Sequence, residues 1–343
     1  MNNASCQSKI NSLISRMDFV LLFALQQLKS GKGTRMPQLP NTLQKTKRNT
    51  WGKLFPYALT APTVILTVCI MFLPIFRVFW LSLQNSNYKK PWADGFAGLS
   101  NFVRLFTEDA TFQLACENTV KWVFWQVLLQ LFFGMILALL LNRKFRFRGF
   151  VRAIAFVPWA VSGVLTTMLW LLMYNEHIGI VNHLFKAVGL IGKSIGWTAN
   201  TSTVMGAVIV AELWRGIPFF AITLLASLQA IPQELYEAGA IDGCGRWKSY
   251  LHITLPHLKD SIILTTLMRT IWEFNSVDLI YNMTNGGPMN LTTTLSVYMM
   301  KTSVINSDYG YASAIGVVCF SVLLIFSAVY LKATKYGKGG DLA

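Results

Sequence analysis

The stretch WVFWQVLLQLFFGMILALLL, residues 122–141, decides the fold class of this chain. It is long and apolar enough to meet the requirement of roughly 20 residues for a helix that crosses the hydrocarbon core of a bilayer. Because lipid offers no hydrogen bonds to the backbone, such a run is predicted to be helical. The whole chain has the same character: of 343 residues, 53% are hydrophobic and 13% charged, and the mean hydropathy is +0.45. Soluble domains carry about a quarter charged residues.

Six apolar runs of this kind follow one another along the chain, so the sequence predicts an all-α, polytopic membrane protein with six core transmembrane helices. The predicted spans are 57–82, 119–141, 151–174, 204–230, 261–283 and 310–333. A polar segment between spans four and five is predicted to lie in the cytoplasm.

The lysines and arginines outside the spans predict the orientation. Twenty of them lie in the N-terminal segment, the second and fourth loops and the C-terminal tail, against six in the other three loops. Positively charged loops face the cytoplasm, which predicts that both termini lie there, as in a multi-pass protein of the bacterial inner membrane. The net charge of +15 is therefore a topology signal, and nucleic acid is not predicted as a partner.

Three regions are predicted along the chain. Residues 1–53 form a basic cytoplasmic extension, in which 18–28 (DFVLLFALQQL) has the composition of an amphipathic helix on the membrane surface. Residues 54–335 form the transmembrane domain, and residues 336–343 form a cytoplasmic tail.

The segment EAGAIDGCGRWKSYLHITLP, residues 237–256, is polar and rich in glycine, yet lies between two apolar runs. A helix is predicted to start after Pro232, since proline is tolerated in a first turn. Gly243 and Gly245 are predicted to end it, and Pro256 to open the next span. Geometry alone favours an ordinary cytoplasmic loop over an element that transmits motion to the spans.

The residues of this segment resemble the signature of ABC-transporter permease subunits: Glu-Ala-Ala, three residues, Gly, nine residues, Ile-x-Leu-Pro. The departure is Gly239, where the family has a second alanine, and glycine is expected to loosen that helix by about 1 kcal/mol relative to alanine. Further stretches, such as LWRGIPFF (213–220) and TIWEFNSVDLIYNMTNGGP (270–288), are similar to permeases for binding-protein-dependent sugar uptake, including the maltose, glycerol-3-phosphate and alginate-oligosaccharide permeases.

The resemblance implies that this segment is a coupling helix, seated in a groove of a separate ATP-binding subunit. The residues it assigns to coupling are Glu237, Ala238, Gly239, Asp242, Gly243, Ile253, Leu255 and Pro256. It also implies the partners: a second homologous permease, a dimer of ABC ATPase subunits that hold ATP and Mg, an extracytoplasmic solute-binding protein and a carbohydrate substrate. The chain itself is expected to bind no cofactor.

Ionisable groups inside a span usually face a water-filled cavity or a partner. Span five carries such groups, with aromatic residues near them, and aromatic faces beside hydrogen-bonding groups suit a sugar. Arg269 and Glu273, four residues apart, are equally able to neutralise each other without touching substrate. The candidates for the substrate cavity are Gly216, Phe219, Arg269, Trp272, Glu273, Ser276 and Asp278.

Two other readings remain possible from the residues. A membrane-embedded enzyme would use Glu212, Asp278 and either His177 or His183, and a proton-coupled carrier would work without an ATPase. The sequence predicts no catalytic residue and no metal site. AVGLIGKS (187–194) matches a loose phosphate-loop pattern, but no buried strand is predicted before it.

Overall fold

The computed structural model describes residues 50–336. The predicted amphipathic helix at 18–28, nearly all of the segment 1–53 and all but one residue of the tail 336–343 lie outside the described residues, so these predictions stay open. The chain divides into two units, with the boundary after Leu66, and every site discussed below lies in the second unit.

The first apolar span is Leu59–Ser82. It is built from α1 (Thr50–Thr67), a π-helical turn (Val68–Phe72) and α2 (Leu73–Ser82). Two short antiparallel strands follow, β1 (Gln84–Asn85) and β2 (Gly95–Phe96), in the register Gln84–Phe96 and Asn85–Gly95. A 3-10 turn at Pro91–Ala93 separates them.

Asp109 fixes the start of the second span. It lies between α3 (Ser100–Thr107) and α4 (Ala110–Asn142), and its Oδ1 caps α4 by accepting from the Phe112 N–H at 3.0 Å. Its Oδ2 accepts from the hydroxyls of Tyr298 and Tyr311, each at 2.6 Å. Burial opposes the charge, but these hydrogen bonds keep the pKa of Asp109 below its usual value. One carboxylate thus joins the start of α4 to two later parts of the chain.

The third predicted span, 151–174, is not one straight helix. It consists of α5 (Arg148–Ala160) and α6 (Gly163–Met173), bent by 95°. Val161 is extended, and the Ser162 side chain caps the new helix by accepting from the Leu165 N–H. A capping serine competes with helix continuation, which explains the break.

Among the described residues, the most extensive helix–helix interface joins α4 to α8 (Val204–Ala230). A short helix, α7 (Ile180–Ala187), precedes α8. Gly134 on α4 permits this approach, because a Cβ there would lie 2.5 Å from the Cβ of Phe220. Phe220 is fully buried and packs in a cluster with Leu224 on its own helix. Small residues allow membrane helices to come this close.

The polar segment forms α9 (Gln233–Ile241), α10 (Arg246–Ser249) and a π-helical turn (Tyr250–Thr254) that continues into α11 (Leu255–Phe274). The predicted fifth span, 261–283, is therefore wrong as a single helix. The helix α11 ends at Phe274, where the Asn275 side chain donates to the Ile271 carbonyl at 2.8 Å. A separate helix, α12 (Asp278–Thr284), starts after three non-helical residues.

The chain closes with α13 (Leu295–Met300), a π-helical turn (Lys301–Ile305) and α14 (Tyr309–Thr334). Four helices of the described residues are long and apolar enough to cross a membrane, or up to five if the bent pair counts as one span. The all-α membrane class is confirmed, and the count of six is not, because α11 carries charged residues.

Candidate functional site

A cluster of four charged side chains lies between α8 and α11. Glu212 accepts two hydrogen bonds from Arg215, Nε to Oε2 and Nη2 to Oε1, both at 2.9 Å. Arg269 reaches across from α11, with Nη2 at 3.0 Å from Glu212 Oε1 and 2.7 Å from Glu273 Oε1. The side chains of Glu212 and Glu273 are only 1% exposed. Burial of charges is costly unless they are paired and hydrogen-bonded, and here they are.

Two glutamines of α4 complete the cluster. Gln130 donates from Nε2 to Glu273 Oε1 at 2.9 Å and to Gln126 Oε1 at 2.8 Å, and accepts from Arg269 Nε at 2.6 Å. Gln126 in turn donates to the Ile209 carbonyl at 3.0 Å. Sequence reasoning missed both glutamines. The signal was present: they lie four residues apart in an otherwise apolar run, and so share one face of the helix.

Gly216 serves this network rather than a cavity. A Cβ at this position would overlap the amide group of Gln130, so the glycine makes room for the glutamine that joins Arg269 to Glu273. Phe219 likewise contacts other side chains of the site. Its ring packs on Trp272 with centroids 4.9 Å apart, and the Arg269 guanidinium lies 5.8 Å from its centroid.

A cavity of about 600 Å³ opens beside the ionic cluster. Five of the seven sequence candidates line it, namely Arg269, Trp272, Glu273, Ser276 and Asp278, and Gly216 and Phe219 do not. The other lining residues are Trp159, Glu212, Arg215, Asn275 and Val277. Two tryptophans and several hydrogen-bonding groups thus face one space.

Two carboxylate groups in this lining retain capacity to accept hydrogen bonds. Glu273 Oε2 is buried and has no hydrogen-bond partner among the described residues. Asp278, at the start of α12, is exposed and takes part in none of the ion pairs there. Glu273 Oε2 has no accessible surface of its own, so the exposed Asp278 carboxylate is the acceptor that a ligand hydroxyl can reach directly.

The polar segment has the local structure that its sequence predicts. Pro232 precedes the first turn of α9, Gly243 adopts the left-handed φ of +77° that ends it, and Gly245 precedes α10. Glu237 is exposed and accepts from the Gln233 side chain at 2.9 Å. Ile241, which sequence reasoning missed, is 88% exposed. An exposed acid beside an exposed apolar residue forms a surface suited to another protein.

Gly239 is buried under Ile253. A Cβ on Gly239 would lie 2.9 Å from Ile253 Cδ1, so the glycine lets the two arms of the segment close on each other. Tyr236 and Thr254 join the same arms through their hydroxyls, 2.9 Å apart. The contact compensates for the weaker helix propensity expected of glycine at this position.

The remaining coupling candidates surround this contact. Ala238 accepts from the Asp242 N–H at 3.0 Å, and Asp242 is the last residue before the turn at Gly243. Leu255 is 36% exposed, and Pro256 lies in the first turn of α11. All eight predicted coupling residues therefore lie in one helix–turn–helix unit. Their contact with an ATPase remains a prediction.

Comparison with known proteins identifies the family. Residues 130–333 match the model described as "binding-protein-dependent transport system inner membrane component". The chain belongs to this family. The matched region contains α8, the polar segment, α11 and the cavity. The protein is therefore a multi-pass membrane component of a transport system.

Relatives with described substrates support this membership over most of the permease. Over 280 residues the chain is 35% identical to the trehalose/maltose transport system permease protein MalF of Thermococcus litoralis, with 82% of this chain and 93% of that protein covered. It is 32% identical to the diacetylchitobiose uptake system permease protein DasB of Streptomyces coelicolor, over 82% of this chain and 87% of that one.

The fold of the permease is also that of a solved transporter. A chain from the crystal structure of a bacterial ABC transporter involved in the import of alginate superposes with a TM-score of 0.73 at 22% identity, covering 84% of this permease and 99% of that chain. At this identity the likeness concerns the fold.

Family membership excludes the two alternative functions, a membrane-embedded enzyme and a carrier that works without an ATPase. The candidate acid Glu212 is held by Arg215 and Arg269. The stretch 187–194 has no phosphate-loop context, because it begins at the last residue of the short helix α7, and β1 and β2 are the strands of the part described.

Proposed function

We propose that this permease imports a carbohydrate into the cytoplasm, driven by ATP that a separate subunit hydrolyses. The observation that carries the proposal is the cavity beside Arg269 and Glu273, where Trp159 and Trp272 lie among hydrogen-bonding side chains. A sugar presents apolar C–H faces and a polar rim, and this lining can contact both. The relatives named for trehalose/maltose and diacetylchitobiose point to the same substrate class.

The coupling segment transmits the closing motion of the ATPase subunits to the membrane helices. In this proposal Glu237, Ile241 and the turn at Gly243 dock into a groove of an ABC ATPase dimer that holds ATP and Mg. A second homologous permease completes the translocation pathway, and an extracytoplasmic binding protein delivers the sugar. Closure of the ATPase dimer drives the permeases only if the coupling helices bind its open and closed states with different affinity. The excess of lysine and arginine in alternate loops supports cytoplasmic termini.

The charge balance of the cavity favours a neutral sugar over an acidic one. Its lining contains three carboxylates and two guanidinium groups. Both arginines are already paired with Glu212, and Arg269 also with Glu273. Asp278 forms no close ion pair and interacts with Arg215 only at longer range, so the lining has one carboxylate more than it has guanidinium groups. The accessible free acceptor is the Asp278 carboxylate, which accepts hydrogen bonds from sugar hydroxyls and repels a uronate.

The function is tested on the assembled complex in nanodiscs by measuring ATP hydrolysis with binding protein and a panel of solutes. Neutral di- and oligosaccharides are expected to stimulate hydrolysis, and amino acids and peptides are not. Stimulation by peptides alone would contradict the carbohydrate assignment, and sugar uptake into proteoliposomes that lack the ATPase subunits would contradict the coupling.

Substitution Asp278→Asn tests the charge argument. Removal of the unpaired carboxylate is expected to raise uptake of a uronate oligosaccharide, relative to its neutral analogue, by about fivefold, since one like charge no longer opposes the anion. Asp260→Asn makes the same change in net charge at an exposed position outside the cavity lining, and should leave the ratio unchanged. An equal ratio in both variants and the parent protein would show that Asp278 does not select against anions.

A further inference from the structure

A second hollow of the molecule has a different lining from the substrate cavity. It is a groove of about 900 Å³ between α4 and the segment that leads from α10 into α11. Its wall is apolar, with Leu128, Phe132, Met135 and Leu139 on α4 and Ile262 on α11. None of its lining residues is acidic.

The length of the wall matches a lipid chain. Leu128 and Leu139 are eleven positions apart, which corresponds to about 17 Å of helix rise. One leaflet of the hydrocarbon core is about half of 30 Å thick. The apolar wall formed by α4 is therefore about as long as one leaflet is deep.

One end of the groove is basic. Arg143, directly after α4, and Arg246, at the start of α10, both line it and are exposed. Within the described part of the chain neither guanidinium forms an ion pair or a hydrogen bond. Two unpaired arginines from separate segments thus face the same opening, a geometry suited to a phosphate, which guanidinium groups bind with paired donors.

Aromatic residues mark the same end as a membrane interface. Trp247 and Tyr250 line the groove beside the arginines, and their rings stack with centroids 5.7 Å apart at an interplanar angle of 27°. Trp247 is 71% exposed. Tryptophan and tyrosine concentrate at the level of lipid headgroups, where their rings meet hydrocarbon and their polar atoms meet water.

We infer that this groove is a binding site for an anionic phospholipid. One acyl chain lies along the α4 wall from Leu139 towards Leu128, and the headgroup phosphate lies between Arg143 and Arg246. Basic pockets between membrane helices are known to favour anionic headgroups. Because Arg246 and Trp247 belong to the segment that carries Glu237 and Gly243, the bound lipid would connect the coupling segment to α4.

The test is retention of lipid by the purified transporter complex, measured by native mass spectrometry after mild delipidation. The complex is equilibrated with equal amounts of phosphatidylglycerol and phosphatidylcholine that have identical acyl chains. The parent protein is expected to retain phosphatidylglycerol over phosphatidylcholine, and Arg143→Gln/Arg246→Gln to lower that preference about tenfold. Arg146→Gln/Arg148→Gln removes the same amount of charge close to Arg143 in the sequence, at positions that do not line the groove, and should keep the preference.

Met135→Trp gives an independent measurement, since it fills the apolar wall and leaves both arginines in place. It is expected to lower retention of both lipids. Equal retention of the two lipids by the parent protein would overturn the inference, and so would an unchanged preference in Arg143→Gln/Arg246→Gln. Cross-linking of the groove wall to a helix of the second permease, with no lipid retained, would also overturn it. None of these readouts depends on the transported solute.

Discussion

Replacement of Arg269 by methionine is expected to destabilise the folded permease by about 3–5 kcal/mol, the cost of a buried ion pair that loses one partner. The arginine binds Glu212 and Glu273 through Nη2 and Gln130 through Nε. Its removal leaves Glu273 without a cation, at 1% side-chain exposure. In thermal unfolding of the detergent-solubilised protein this should lower Tm by about 10 °C.

A matched control for this substitution exists on α4. Lys121 pairs with Glu117 at 2.6 Å, but the two side chains are 53% and 60% exposed. Lys121→Met should change stability by less than about 1 kcal/mol, since exposed pairs contribute little. The double variant Arg269→Met/Glu273→Gln should recover part of the loss, because it removes a carboxylate that has lost its cation. If Arg269→Met were as stable as Lys121→Met, the cluster would not hold α8 and α11 together.

Charge reversal at Glu237 should abolish transport while the permease still inserts and folds. Glu237 is exposed and its hydrogen bond within the chain is to Gln233, so Glu237→Lys removes little internal stability. If the acid pairs with a cation of the ATPase groove, the reversal costs several kcal/mol of binding, and uptake should fall by at least about 100-fold. The measurements are co-purification of the ATPase subunit and sugar uptake, at equal amounts of permease in the membrane.

Two further variants test whether a loss of transport in Glu237→Lys comes from the position of the charge or from net charge alone. Glu108→Lys changes net charge equally at an exposed position far along the chain from the coupling segment, and should transport normally. Glu237→Gln keeps the shape without the charge and should retain intermediate binding. Normal uptake and normal co-purification of Glu237→Lys would show that Glu237 has no part in docking.

The sequence alone determined the class of the protein and the local form of its polar segment. The apolar run 122–141 has to be helical in lipid, because backbone hydrogen bonds there have no other partner. Pro232 and Gly243 act within their own turns, so the start and end of α9 followed from residue type. The family signature added the coupling role as a prediction.

The tertiary structure alone decided which polar groups meet. No local sequence pattern indicates that Gln130 lies between Arg269 and Glu273. Nor does one indicate that a residue without a side chain is needed at Gly216 to make room for the glutamine. The bend at Val161 and Ser162 escaped prediction because hydropathy continues through it. The break after Phe274 escaped prediction because Ser276 and Asp278 were interpreted as cavity-lining residues of one continuous helix. Helical periodicity specifies the face of a side chain on its own helix, but its partner depends on how closely and at what register a second helix packs. That is set by contacts such as the one between Gly134 and Phe220, which join residues far apart in the chain.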